Sequence, residues 1–364
     1  MKVSLLISGL RGGGAERVCV IVANGLAARG HDVSLTVLNT EGQAYAGQLS
    51  PQVRLINLSV AHARRSFIAL RHWLLKEQPT LVLVFNHQLA IILVCLRSLM
   101  RGKFKIVARN INTLSVRAQH QNWWHGSVTN ALTRLLYSRV DHVIAQSTGM
   151  HSDLVENYRI LPSHITTIHN PVSAELLSCD SETAKRNPYE RVVLYVGRLG
   201  KQKGLEDLLS AFSVVVENEP GATLYLVGTG PEENHLQNLA TTLGITESVH
   251  FVGFQTDVIS WYQRASVVVL TSHYEGFPNV LVEAITCGTP VVAFDCPSGP
   301  SEIIVEGVNG YLIPDRDKAL FAQRVTDILV GRVVFRQEDV ARTAERFRSN
   351  VVLDQYEAVL ERFT

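Results

Sequence analysis

The stretch from Val267 to Phe294 constrains the fold of this chain more than any other part. It reads VVVLTSHYEGFPNVLVEAITCGTPVVAF, so that two β-branched apolar runs flank a polar loop and a segment of helical periodicity. This order predicts a strand, a loop, a short helix and a second strand. Pro278 suits the first turn of the helix, and Gly288 suits the left-handed residue after its last turn. In a parallel sheet the loop would lie at the carboxyl end of its strand, where open α/β sheets bind ligands.

Two carboxylates frame this unit, since Glu275 lies in the loop and Glu283 lies in the helix. The run EGFPNVLVEA, followed by CGTPVVA, resembles the Glu-x7-Glu signature of family-4 retaining glycosyltransferases, which have the two-domain GT-B fold. The resemblance implies that Glu275 lies against the transferred sugar, that Glu283 binds the ribose of a nucleotide, and that the loop backbone holds sugar hydroxyls and phosphate. The donor-binding residues that it implies in this unit are Gly276, Phe277, Pro278, Asn279, Val280, Leu281 and Glu283.

Two simpler interpretations of the carboxylate pair remain open at this point. Taken alone, Glu283 would be typical of a solvated helix residue. A glycosidase also uses two carboxylates, one as the acid and the other as the nucleophile or base. The full motif disfavours both, because a hydrolase needs no nucleotide site beside its carboxylates.

Length and composition limit the class of protein. A chain of 364 residues is long for one core, so two domains are expected, and 46% hydrophobic with 18% charged residues is typical of a globular protein. Five cysteines without a CxxC pattern predict a reduced cytosolic chain without structural zinc. The apolar start, MKVSLLISGL, is short for a signal peptide and predicts a strand. Polar residues interrupt the most apolar segment, Leu81–Leu96, so no membrane span is predicted.

The near-neutral formal charge of +1 conceals an asymmetry between the two halves. Residues 1–175 hold 18 Lys and Arg against 8 Asp and Glu, or +10, whereas the remainder holds 34 − 18 = 16 against 33 − 8 = 25, or −9. A cationic half favours an anionic partner, such as membrane lipid or phosphate. No nucleic-acid partner is expected, because a basic run interleaved with aromatic residues is missing. Residues 63–77 predict a basic helix that either lies on an anionic membrane or covers the sheet with a solvated face.

The first half begins with a βαβ pattern, in which a strand is followed by a glycine loop, a helix and a second strand. Gly12 and Gly14 fit the first two positions of G-x-G-x-x-G, but the third position is Arg17, which disfavours a nicotinamide oxidoreductase. Gly13 and Gly14 could still let backbone N–H groups approach a phosphate, or could only form a tight turn. In the resembled family this loop faces the donor diphosphate and the acceptor.

Candidate acceptor residues follow a predicted strand at Lys105–Ala108. The next residues are Arg109 and Asn110, at a position where many members of the resembled family have a histidine near the acceptor. A catalytic-base role therefore does not carry over, and we assign Arg109 and Asn110 to acceptor binding. The aromatic run NWWH at 122–125 could contact the acceptor or a membrane, or could pack against a helix.

The second half begins with a new strand at Arg191–Gly197. Arg198 and Lys203 bracket the next loop, and a helix begins near Gly204. Two cations beside a helix N-terminus predict a site for a diphosphate that gains charge as it leaves. In the resembled family the equivalent residues hold the pyrophosphate of the donor, although surface cations remain the simpler alternative.

Three more donor contacts are predicted in this half, at Gly228, Gly230 and Phe254. The two glycines end a strand and would give backbone access to the nucleotide. Phe254 follows Gly253, where members of the resembled family contact the base through the main chain. Main-chain contacts do not reveal which base is bound, and uracil is chosen on family frequency alone. No metal site is predicted, because the two cations would neutralise the diphosphate.

Together these features predict an α/β chain of the GT-B fold, with two Rossmann-like parallel-sheet domains that face a cleft. Residues 1–172 would bind the acceptor, 173–190 would be a linker, 191–343 would bind the nucleotide sugar, and 344–364 would form a helix that returns to the first domain. The expected activity is retaining transfer of a hexosyl or N-acetylhexosaminyl group from a UDP-sugar to a saccharide linked to undecaprenyl diphosphate.

That activity would need no cofactor beyond the donor. The enzyme would be a peripheral protein on the cytoplasmic face of the inner membrane. A nucleotide-sugar 2-epimerase of the same fold and a non-catalytic, lectin-like module remain as alternatives.

Overall fold

The computed structural model describes residues 1–11, 13–39, 45–60, 66–110, 133–173, 176 and 190–364. These residues form two compact units, of which the first combines Met1–Pro171 with Ser349–Thr364 and the second spans Val172–Arg348. Several predicted features lie outside the described residues: Gly12, Arg64, Arg65, the aromatic run at 122–125 and most of the predicted linker.

The first unit is built on a seven-stranded parallel sheet. Its strands are β1 (Lys2–Ile7), β2 (Asp32–Val37), β3 (Arg54–Asn57), β4 (Leu81–Val84), β5 (Lys105–Arg109), β6 (His142–Ala145) and β7 (Ile165–Thr167). Its helices are α1 (Gly14–Ala28), α2 (Phe67–Glu77), α3 (His87–Met100) and α4 (Thr148–Tyr158), with a further helical segment at 133–137. Separate apolar cores cover the two faces of the sheet, which explains why its central strands read as continuous apolar runs.

A six-stranded parallel sheet forms the second unit. The strands are β8 (Arg191–Val196), β9 (Ala222–Val227), β10 (Val249–Gly253), β11 (Val267–Leu270), β12 (Val291–Phe294) and β13 (Gly310–Ile313). The helices are α5 (Leu205–Asn218), α6 (Glu233–Thr242), α7 (Ile259–Arg264), α8 (Asn279–Thr286), α9 (Pro300–Ile303), α10 (Lys318–Leu329) and α11 (Gln337–Arg342). Apolar clusters again cover both faces.

Strand order places the predicted site. The sheets run β3-β2-β1-β4-β5-β6-β7 and β10-β9-β8-β11-β12-β13, so the order reverses between β1 and β4 and between β8 and β11. Loops that leave neighbouring strands at such a switch point diverge and open a crevice at the carboxyl edge of the sheet. The loops after β8 and β11 carry Lys203 and Glu275 to this edge. The expectation of two Rossmann-like parallel-sheet domains is confirmed.

The last helix, α12 (Ser349–Leu360), belongs to the first unit. Leu353 of α12 packs directly on Gly25 of α1, where a Cβ would overlap its side chain. Glu357 forms an ion pair with Arg29 and a hydrogen bond with His31, which hold α12 along α1.

The expected helix at 344–364 therefore begins later than predicted. Glu345–Phe347 form a 3₁₀ turn, and Arg348 is extended and separates that turn from α12. The ring of Phe347 packs edge-on against Phe277, 5.6 Å away, in the core of the second unit. Burial of Phe347 there overrides the helical periodicity of the segment.

Across the described ranges, no helix combines the length and the hydropathy that crossing a bilayer would require.

Candidate active site

The loop after β8 packs tightly against the loop after β9. The Tyr195 hydroxyl donates a hydrogen bond to the Arg198 carbonyl at 3.0 Å. A Cβ on Gly228 would overlap the Gly197 carbonyl, and a Cβ on Gly230 would overlap the Leu199 carbonyl. Close approach of the two loops therefore explains why glycine stands at both positions. Their contact with a donor stays a prediction.

Lys203 ends a 3₁₀ turn at Lys201–Lys203, and Gly204 then begins α5 with a φ of +59°. Gly204 lies against the carbonyl of Thr271, so that any Cβ there would collide with it. The Thr271 hydroxyl also donates to the Lys203 carbonyl at 3.2 Å. The start of α5 is thereby joined to the loop after β11.

The Glu275 carboxylate is the centre of the site. Lys203 Nζ and Ser272 Oγ each donate a hydrogen bond to Glu275 Oε1, both at 2.6 Å. The Glu275 residue is only 8% exposed, and Ser272 is buried. Charge-assisted hydrogen bonds of this length fix the carboxylate in one orientation. Both contacts use Oε1, so within the described part of the chain Oε2 is left for a ligand hydroxyl.

Two titratable neighbours of Glu275 stay neutral at physiological pH. Burial, and then the Glu275 carboxylate, raises the pKa of the Cys296 thiol to about 12. The same two causes raise the pKa of the Tyr195 phenol. Neither group can therefore act as an anionic nucleophile beside Glu275.

Arg198 differs from Lys203 in its surroundings. Its side chain is exposed, and among the residues described here it forms no ion pair or side-chain hydrogen bond. The Arg198 charge thus remains available to an anion. Lys203 already contacts Glu275, and it has two further N–H donors to share with a diphosphate.

Glu283 is buried in α8 and is 6% exposed, so the interpretation as a solvated helix residue is wrong. The Tyr262 hydroxyl donates to Glu283 Oε2 at 2.8 Å. Tyr262 is itself fully buried on α7, and its carbonyl accepts a hydrogen bond from the Thr289 hydroxyl at 2.6 Å. Sequence analysis missed Tyr262, because only the fold brings α7 against α8.

We expect Tyr262→Phe to raise KM for the donor by about tenfold with little change in kcat. The change removes one hydrogen bond to a buried carboxylate, and such a bond contributes about 1.5–3 kcal/mol. Steady-state kinetics with varied donor concentration measures the effect. Tyr311→Phe is the matched control, since no hydrogen bond of the Tyr311 hydroxyl occurs in the described structure. An unchanged KM would show that Tyr262 does not position Glu283.

Comparisons with known proteins decide the family of this chain. Residues 12–176 match the family model "Glycosyltransferase Family 4", and residues 180–349 match the model "Glycosyl transferases group 1". The chain belongs to the glycosyltransferases that these two models describe. It transfers a sugar from a nucleotide sugar.

Several proteins are similar to this glycosyltransferase over most of their length. An uncharacterized glycosyltransferase of Haemophilus influenzae is 28% identical over 306 residues, which cover 82% of each chain. The lipopolysaccharide 1,6-galactosyltransferase of Escherichia coli is 26% identical over 314 residues, or 84% of this chain and 81% of the relative.

Solved structures show the same fold. The lipopolysaccharide outer core galactosyltransferase WaaB superposes with a TM-score of 0.77 at 22% identity, over all of both chains. HepE of Anabaena, in complex with UDP-glucose, gives a TM-score of 0.80 at 22% identity, also over all of both chains.

In this glycosyltransferase, several predicted donor residues lie with their side chains in the core. Phe277 and Leu281 are buried against β11 and β12, so only their backbone atoms could reach a ligand. The Gly276 carbonyl accepts a hydrogen bond from the Ser298 hydroxyl at 3.1 Å, which holds the loop from behind. Asn279 and Val280 are half-buried at the start of α8, and Pro278 is buried. Phe254, by contrast, is 72% exposed at the end of β10.

The glycine loop before α1 is already occupied by a side chain. Gly13 N–H donates to the Glu16 carboxylate, which lies three residues later in the first turn of α1. A carboxylate at this position satisfies one of the free N–H groups of the helix. A phosphate at Gly13 and Gly14 would therefore have to displace Glu16. The G-x-x-E spacing of Gly13 and Glu16 could have predicted this contact, but the sequence analysis did not use it.

Arg109 is not the open acceptor contact that its place after β5 suggested. Its side chain is fully buried, with Nε donating to the Tyr356 hydroxyl at 2.7 Å and Nη2 donating to Asn170 Oδ1. Asn110 is buried as well, and its carbonyl accepts from Gln146 Nε2 at 2.6 Å. Periodicity gave no signal for Tyr356 or Asn170, which reach Arg109 from distant parts of the chain.

The described residues contain no group of three or more His, Cys, Asp and Glu side chains that could hold a metal ion.

Proposed function

We propose that this glycosyltransferase transfers a hexosyl or N-acetylhexosaminyl group from a UDP-sugar with retention at the anomeric carbon. The observation that carries the proposal is the buried Glu275 carboxylate, held by Lys203 and Ser272 through one oxygen, at the switch point of the second sheet. Oε2 would accept a hydrogen bond from the transferred sugar, and the negative charge would stabilise an oxocarbenium-like transition state.

Arg198 and Lys203 would stabilise the departing diphosphate. The bond from the anomeric carbon to the phosphate oxygen breaks, and the acceptor oxygen bonds to the same face of the sugar. The departing phosphate oxygen takes the proton of the acceptor hydroxyl. Since the two cations neutralise the diphosphate, activity should persist in EDTA.

The preference for UDP rests on two supports. HepE, whose fold this chain shares, was solved with UDP-glucose. Phe254, exposed beyond β10, offers an aromatic face on which a base could stack. Glu283, oriented by Tyr262, would bind the ribose hydroxyls.

The decisive experiment incubates the protein with a panel of nucleotide sugars and undecaprenyl-diphosphate-linked saccharides and identifies the products by mass spectrometry. The anomeric configuration of the product is then read by NMR. We expect an α-linked product from an α-linked donor. A β-linked product would overturn retention. A modified nucleotide sugar released without acceptor would instead identify an epimerase, and sugar binding without nucleotide binding would identify a lectin-like module.

We also propose that the acceptor is lipid-linked and is met at the cytoplasmic face of the inner membrane. Ile68 and Leu75 of α2 are 68% and 50% exposed, and Arg71, His72 and Lys76 of the same helix are also exposed. Ile68 and Leu75 are seven residues apart and therefore lie on one face of α2. They form an apolar strip that is bordered by the basic residues of the helix. Such helices bind anionic membrane surfaces. Phe67, at the first turn of α2, is 37% exposed as well.

Liposome flotation tests the membrane proposal. The protein should float with vesicles that contain phosphatidylglycerol at low salt, and the double substitution Ile68→Glu and Leu75→Glu should abolish flotation. Val334→Glu is the matched control, because Val334 is 79% exposed in the second unit. No binding by the unaltered protein would favour a soluble acceptor.

A further inference from the structure

We infer that Arg109 is the centre of a buried anion-binding site in the first unit, which takes a carboxylate or phosphate group of the acceptor. The inference extends the proposed function, since it assigns a charge to the acceptor of the proposed reaction. It rests on the hydrogen bonds, the burial and the charge balance around the Arg109 side chain.

One donor group of Arg109 has no partner in the part of the chain that the structure describes. Nε donates to Tyr356 and Nη2 donates to Asn170, whereas Nη1 is buried and has no hydrogen-bond acceptor among the described residues. Buried polar groups in folded proteins are almost always paired, so an orphaned guanidinium N–H indicates a missing ligand. The two existing bonds orient the guanidinium, and neither of them uses Nη1.

The charge of Arg109 is also uncompensated. Its hydrogen-bond partners are a phenol and an amide, and its guanidinium lies 5.2 Å from the ring centroid of Phe85. Within the ranges that the structure describes, Arg109 forms no ion pair, whereas Arg29 and Arg97 of the same unit contact Glu357 and Asp141. Burial of a cation without a counter-ion costs free energy of folding. A bound anion would remove that cost, whereas a neutral hydroxyl would not.

The position of Arg109 connects the site to the reaction. It ends β5 at the carboxyl edge of the first sheet, which is the edge where open α/β sheets bind ligands. Arg109 has no exposed surface in this structure, so an anion must displace neighbouring atoms to reach Nη1. An anion bound to Nη1 would be removed from water. Charge-assisted hydrogen bonds are strong in such a buried environment.

Thermal unfolding of the full chain with saturating UDP tests the inference, because UDP occupies the proposed donor cations. Inorganic phosphate and D-glucuronate are titrated separately at constant ionic strength. We expect at least one of them to raise the unfolding midpoint of the unaltered protein. In Arg109→Met the apparent affinity for that anion should fall at least about tenfold. Lys103→Met, which removes an exposed cation of the same unit, should behave as the unaltered protein.

The two anions identify the source of the charge. A response to phosphate alone assigns a phosphorylated acceptor, and a response to glucuronate alone assigns a uronic acid. If Arg109→Met does not fold, unaltered protein labelled with ¹⁵N-arginine is titrated instead, and the Arg109 side-chain signals, assigned with Arg109→Lys, should shift.

Absence of any anion response, or an equal response in Arg109→Met, would overturn the inference. The proposed function would still stand in that case, provided that UDP alone raises the midpoint. If UDP has no effect, the proposed function itself fails.

Discussion

Glu275→Gln should lower kcat by about 100- to 1,000-fold while the protein keeps its fold, because it removes one preorganised charge from the transition state. Glutamine has nearly the same shape, and its carbonyl can still accept hydrogen bonds from Lys203 and Ser272. What it lacks is the negative charge that, in the proposed mechanism, would stabilise a developing oxocarbenium ion. The unfolding midpoint of the variant should therefore stay close to that of the unaltered protein.

Single-turnover kinetics with saturating donor measures the effect on the Glu275 variant. Glu247→Gln is the matched control, because Glu247 is exposed in the same unit. Transfer at a near-normal rate by Glu275→Gln would remove Glu275 from the mechanism. Circular dichroism of the same sample would show whether the variant is folded. It would therefore distinguish the loss of a catalytic group from unfolding.

Lys203→Met should lower kcat by about 100- to 1,000-fold and should weaken UDP binding as well. The substitution removes a cation that contacts Glu275 at 2.6 Å and that is placed to share a departing diphosphate. The Glu275 effect and the Lys203 effect should differ in one respect. In the proposed mechanism only the lysine contacts the diphosphate, so only Lys203→Met should raise the dissociation constant of UDP.

Lys201→Met separates this specific role from a general loss of positive charge. Lys201 is exposed in the same 3₁₀ turn, and in the described structure its side chain has no ion pair. Isothermal titration with UDP and steady-state kinetics are measured for both variants. Equal behaviour of Lys201→Met and Lys203→Met would show that Lys203 has no position-specific role.

Local pattern predicted the elements of the site well. Pro278 caps α8, which begins one residue later, and Gly288 adopts the expected left-handed conformation with a φ of +70°. The loop that follows β11 leaves the sheet at its switch point, as the strand-loop-helix order indicated. These features depend on backbone preferences over a few residues, and a single segment contains that information.

Contacts inside the site could not be predicted in the same way. Lys203 and Glu275 are 72 residues apart in the chain, and Arg109 and Tyr356 are 247 apart. Such pairs meet only when the strands of each sheet are assembled in one order. The same reason explains why pattern, which assigned Arg109 to acceptor binding, did not reveal that its side chain is buried against Tyr356 of α12.

The sequence by itself therefore determined the class of fold, the loops that carry charge and the carboxylates of the signature. Tertiary structure alone decided which oxygen of Glu275 is held, that Tyr262 orients Glu283, that Glu16 occupies the glycine loop, and that Arg109 Nη1 lacks an acceptor among the described residues. The physical reason is that secondary structure follows from short-range sterics and periodicity, whereas hydrogen bonds between distant side chains depend on how buried surfaces pack.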